Sequence, residues 1–154
     1  MTRTITSALA LATIVAAPMT AQGTNPVVGK WDIEYERGRR VENDVPTPIM
    51  GKGTLTIVQQ GDSLVATLEP GPRPDGSASP PSTAGGRMTA AGAVFAMKRS
   101  ATMNTNGQMS IQELTLTWTL QASGDTITGT MKMEMPHEDE PAAASPVKGT
   151  RAAK

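Results

Sequence analysis

The stretch Ser110–Gln121 reads S-I-Q-E-L-T-L-T-W-T-L-Q. Leu114, Leu116, Trp118 and Leu120 share one parity; Thr115, Thr117 and Thr119 share the other. A period of two marks a β-strand with one buried and one wet face, because successive side chains of a strand point to opposite sides. Threonine suits the wet face, since β-branched side chains pack well on a pleated surface.

The same period recurs outward from this stretch. Downstream, the turn signal Ser123-Gly124-Asp125 leads into Thr126–Met135, with Ile127, Met131, Met133 and Met135 facing in and Thr128, Thr130, Lys132 and Glu134 facing out. Upstream, the turn Asn104-Thr105-Asn106-Gly107 is preceded by the strand Ala93–Thr102, in which Phe95 and Met97 share a face. A short strand over Arg87–Thr89 enters it through Ala90-Ala91-Gly92.

Nearer the N-terminus, Val27–Arg37 reads V-V-G-K-W-D-I-E-Y-E-R. Val27, Gly29, Trp31, Ile33 and Tyr35 alternate with Lys30, Asp32, Glu34 and Glu36, which the pattern places on the wet face. Gly51–Gln60 and Ser63–Glu69 form a hairpin about Gly61-Asp62, and a last short strand covers Val147–Ala152. The segment G-D-S-L-V-A-T at 61–67 is echoed by G-D-T-I-T-G-T at 124–130, which reads as one turn chemistry used twice. Two loops interrupt the series. Pro70–Gly86 is dense in proline, glycine and serine and reads as flexible, and 136–146 carries the acidic patch Glu138-Asp139-Glu140.

About eight antiparallel strands in meander order must bury one apolar face. Sequential hairpins favour an up-and-down closed barrel, whose interior side chains can just fill or which can hold one small ligand. The chain of 154 residues suits a single domain. Residues 1–21 read as a secretory signal peptide: Arg3 is the basic start, Ile5–Ala17 the apolar run, and Ala16-Ala17-Pro18-Met19-Thr20-Ala21 the small-residue cleavage region. That run is shorter than the roughly 20 residues a spanning helix needs. Residues 22–26 form a short linker and 27–152 the barrel, expected to be exported to the periplasm or medium with no membrane span in the mature chain.

Composition narrows function. With 14 basic and 14 acidic side chains, the chain lacks the basic field that nucleic-acid binding requires. The absence of cysteine excludes disulfides, thiolate metal sites and thiol nucleophiles, and one histidine excludes His-rich metal sites. His137 lies beside the acidic patch with no G-x-S-x-G elbow anywhere in the chain, so a serine triad is not expected. Glu34, Glu36 and Glu69 are carboxylates without a recognisable glycosidase pairing. No catalytic residue, metal or cofactor is expected.

Gly29-Lys30-Trp31 on the first strand and Gly149-Thr150-Arg151 on the last resemble the lipocalins and wider calycin barrels, in particular small secreted bacterial lipocalin-like barrels. The resemblance implies an arginine packed across the indole at the closed end, so that Gly29, Trp31 and Arg151 close the barrel. Independently of family, a guanidinium on an indole face gains from cation–π attraction, and its donors can meet backbone carbonyls.

The interior supplies the functional expectation. Arg37 continues the face of Trp31 and Tyr35, and Arg99 that of Phe95 and Met97. Two arginines would then stand at a barrel mouth above a cup of Tyr35, Phe95, Met97, Leu116, Trp118, Met131 and Met133. Methionine adapts to irregular ligands, and arginine anchors a carboxylate or phosphate head. The expected partner is a small hydrophobic or amphipathic molecule. The same pattern also fits a fully packed interior, in which case the chain would be an interaction module of the bacterial envelope, such as a hydrolase inhibitor, acting through its outer surface and loops.

Overall fold

The computed structural model describes residues 25–42, 45–73, 76–105, 108–134 and 143–153. Eight strands follow in chain order: β1 (Gly29–Glu42), β2 (Val45–Gln60), β3 (Ser63–Pro70), β4 (Ser82–Thr89), β5 (Gly92–Thr105), β6 (Gln108–Ser123), β7 (Thr126–Glu134) and β8 (Ser145–Arg151). Each pairs antiparallel with the next, and β8 returns to β1, closing the barrel. The expected all-β meander is therefore the observed fold. The residues read as signal peptide, the acidic patch and His137 lie outside the described residues.

Strand direction gives the barrel two ends. The base holds the β2–β3 and β6–β7 turns. Gly61 and Gly124 take φ of 60° and 58°, a left-handed conformation that glycine adopts without a Cβ clash, so the two G-D segments do share one turn chemistry. The mouth receives the β1–β2 and β5–β6 hairpins and the connection from β3 to β4. Both hairpins outrun their other neighbours: β2 loses β3 above Gly53, and β5 loses β4 above Ala96. Arg37–Glu42, at about 3.3 Å per residue, rises roughly 20 Å as a two-stranded ribbon.

Several strands exceed their sequence reading. β2 starts at Val45 rather than Gly51, through Pro46 and Pro48, at positions where it has one neighbour only. Proline, lacking an N–H, is tolerated on such an edge. β4 starts at Ser82, so the expected loop 70–86 contracts to the connection between Pro70 and Ser82. Gly85 and Gly86 belong to the strand, paired with Ala96 and Phe95. A Cβ on Gly86 would stand 2.4 Å from Phe95 Cδ1, so glycine there admits the ring rather than marking a loop.

The core is the inner parity of every strand. Trp31, Ile57, Leu64, Phe95, Leu120, Ile127 and Val147 are fully enclosed toward the base. The outer face carries Thr115, Thr117 and Thr119 of β6, Lys132 and Glu134 of β7, and Lys148 paired with Glu34 at 3.1 Å across β8 and β1. At the base, the Arg151 guanidinium lies 4.2 Å from the centre of the Trp31 ring. It donates to the carbonyls of Val28, Pro26 and Gly124 and pairs with Asp125 at 3.3 Å. Trp31 Nε1 donates to Val27 O at 2.9 Å, so both polar ends of the closure are satisfied. Gly29 lies beneath this arginine, where a Cβ would stand 2.5 Å from its Nη1.

Candidate functional site

The interior divides into a packed lower half and a hollow top. A cavity of about 140 Å³ opens at the mouth. Of the residues expected to form the ligand cup, Tyr35, Arg37, Met97, Arg99, Leu116, Trp118, Met131 and Met133 all line it. Phe95 does not. It sits one layer lower, 1% exposed, and borders only a void of about 10 Å³ beneath the cup. Phe95 faces inward as its parity requires, but it stands two residues nearer the base than Met97 and packs with the floor.

Tyr35 and Trp118 form the wall from opposite sides, their ring centres 5.6 Å apart and tilted by 47°. This spacing falls within the favoured range for aromatic pairs. Burial pushes the Tyr35 phenol above its ordinary value near 10, while the Arg37 and Arg99 guanidiniums pull it back down. Both cations therefore act on the same hydroxyl. Trp118 Nε1 is buried without a hydrogen-bond partner among the described residues. An orphan donor of this kind costs about 1–3 kcal/mol. Trp118 borders both the cup and the small void below it.

Arg37 reaches the site because of two local devices. The β1–β2 register shifts between Glu36 and Gly38, a bulge that re-aims the strand. Gly51, opposite Tyr35, then leaves a gap for the arginine stem, since a Cβ there would stand 1.8 Å from Arg37 Cδ. The guanidinium donates to Pro72 O at 3.2 Å, tying the β3–β4 connection to the mouth.

The bulge also corrects the reading of Glu36. Strict alternation places it on the wet face with Glu34, yet it is 8% exposed, lines the cup and accepts a hydrogen bond from the buried Ser145 hydroxyl. One extra residue on β1 turns it inward, which alternation cannot anticipate.

Arg73 was hidden more deeply. The β3–β4 connection brings it to the cavity wall together with Ser79. Gly71 N donates to Lys52 O at 2.8 Å, Arg73 N to Ser77 O at 3.0 Å and Arg73 Nε to Ser79 Oγ at 3.0 Å. The connection is thus folded on itself and moored to β2. The available signal was that Arg73 is the sole basic residue in a proline-rich run whose anchors both end at the mouth.

A larger open groove, about 680 Å³, lies on the outer face around Asp32, Glu34, Lys52, Thr54 and Lys148. Three of its charges already have partners there: Lys148 bridges Glu34, and Asp32 accepts from Thr54 Oγ1 at 3.3 Å. The smaller mouth cavity, which joins apolar walls to convergent cations, is the better candidate. Among the described residues no group of three or more His, Asp or Glu side chains could hold a metal ion. In comparisons with known proteins, no family model, no curated protein and no solved structure matches the chain.

Proposed function

We propose that this chain is an exported, lipocalin-like carrier or sensor that binds a small amphipathic anion at the barrel mouth and performs no chemistry on it. One observation carries the reading: a single cavity combines Met97, Leu116, Trp118, Met131 and Met133 with the guanidiniums of Arg37 and Arg99. Apolar walls retain the body of a ligand, while arginines fix an oxyanion bidentately. The Arg151–Trp31 closure supports the lipocalin-like part, and the Arg3 to Ala21 pattern the export.

Volume limits the ligand. Drug-sized pockets run to roughly 300–1,000 Å³, whereas an apolar cavity of about 150 Å³ takes a benzene. At about 140 Å³ the cup suits one ring or a short chain, with the charged head among the arginines. A long acyl chain would have to leave its tail outside, because Phe95, Leu120 and Ile57 fill the space below.

Tryptophan emission titrated with benzoate and hexanoate tests this reading, since Trp118 forms the wall. The expected result is saturable quenching that disappears in Trp118→Phe and persists in Trp31→Phe. If emission ignores both acids and native mass spectrometry shows no adduct, the reading fails. The N-terminal mass of protein recovered from the periplasm or medium, expected to begin at Gln22, tests export.

A second reading, an envelope interaction module, draws on exposed apolar side chains near the mouth ribbons. Met109 is 70% and Ile111 79% exposed on β6, and Val45 on β2 is 60% exposed. Affinity capture from envelope extract, lost on Met109→Ser with Ile111→Ser, would favour it.

A further inference from the structure

We propose that the mouth prefers a small phosphate monoester to a monocarboxylate, and that Arg73 is the residue that makes the distinction. This rests on the reading that the mouth binds an amphipathic anion, and it adds the class of head group. Arg37 and Arg99 come from the barrel wall, and two guanidiniums suffice for one carboxylate, which has two oxygens and a single charge. The structure supplies a third. Arg73 lines the same cavity, delivered by the β3–β4 connection.

The placement of Arg73 is built. Gly71 is moored to Lys52 O, Pro72 O accepts from Arg37, and Gly76 N donates to Arg73 O at 2.8 Å. Arg73 Nε donates to Ser79 Oγ, so the side chain is held by one edge, and among the described residues its terminal nitrogens have no partner. The described cavity lining carries three guanidiniums against the one carboxylate of Glu36, which already accepts from Ser145. A phosphate monoester carries about −1.5 to −2 charge at neutral pH and offers three strong acceptor oxygens. It matches three forked donors in charge and in number, whereas a carboxylate leaves one fork unused. The organic group of the ester would occupy the apolar cup.

Calorimetric titration of the mature chain with phenyl phosphate, benzoate and inorganic phosphate tests this at low ionic strength, where exposed arginines are least screened. The two organic probes share a ring and differ in head group. Phenyl phosphate is expected to bind about tenfold more tightly than benzoate, the effect of one additional charge-assisted contact. Arg73→Gln should bring the ratio close to one by lowering phenyl phosphate affinity more than benzoate affinity, and circular dichroism should show the barrel intact. Equal affinity for the two organic anions, or a preference that survives Arg73→Gln, overturns this inference and leaves the amphipathic-anion reading standing. Inorganic phosphate binding as tightly as phenyl phosphate also overturns it, because the apolar cup would then contribute nothing. If neither organic anion binds, the underlying reading fails with it.

Discussion

The two tryptophans show how one residue type serves two ends of the barrel. Trp31 has every polar need met: its Nε1 donates to Val27 O and its face carries Arg151. Trp118 is also buried, at the wall of the mouth cavity, but its Nε1 has no partner among the described residues. Replacing either by phenylalanine removes similar ring area, yet only Trp31→Phe also breaks a buried hydrogen bond and strands a carbonyl. Trp31→Phe should therefore cost about 1–3 kcal/mol more than Trp118→Phe by chemical denaturation. Trp31→Ala should cost about 3–5 kcal/mol, as large-to-small core changes do. Tyr35 adds a pH effect with a definite sign. Its pKa is raised in the fold, so the unfolded chain gives up the proton first as pH climbs. Its contribution is fully present below pH 10 and is lost as pH rises from there through the folded pKa. The denaturation midpoint of Tyr35→Phe should fall less steeply than the wild type's as pH climbs past about 10.

At the scale of the element, β1 is the instructive strand. From Gly29 to Tyr35 alternation alone reads its two faces correctly, because a regular pleat sends every second residue inward. Beyond Tyr35 the bulge sends Glu36 inward, and Arg37 folds over the glycine of the neighbouring strand. No pattern within β1 contains that information, since the bulge is a relation between two strands and Gly51 belongs to the other. The dependence can be tested from the β2 side. Gly51→Ala places a methyl where the Arg37 stem lies, so the fold should persist while the arginine is displaced. Benzoate affinity should fall about as far as in Arg37→Ala, roughly tenfold, for the loss of one charge-assisted anchor. β4 is a second such case. Its second half, Arg87–Thr89, reads as a strand, whereas Ser82–Gly86 reads as the end of the proline- and glycine-rich loop, but Phe95 of β5 needs the space that Gly86 leaves. Gly86→Ala should destabilise the barrel by about 1–3 kcal/mol, an overpacking cost measurable by thermal denaturation.

At the scale of the whole molecule, closure and hollowness are separate properties. The seam joins β1 and β8 over the short register Trp31–Glu34 with Arg151–Lys148, and the Arg151 cluster secures its lower end. Above the barrel the two ribbons have single neighbours only. Backbone amides of β1 and β2 above Gly51, and of β5 and β6 above Leu114, should exchange with solvent much faster than those facing the core at the base, as local opening there disrupts little buried surface. Hydrogen exchange read by mass spectrometry would show it, and uniform protection from ribbon to base would contradict it.

The sequence by itself determined the strand order, the meander, the inner parity of nearly every strand and the G-D turns. These follow from local rules, namely side-chain alternation, turn conformation and the need to bury one face. It also placed eight of the nine expected cup residues on the faces that line the cavity, because parity carries to the strand ends. Only the tertiary structure decided how far up the barrel the packing reaches, which left Phe95 in the floor and a hollow above it. It alone brought Glu36 inward and carried Arg73 to the mouth on a connection that reads as featureless. Depth along a barrel axis, a bulge and a folded loop are set by register between strands, and register depends on pairs of residues far apart in the chain.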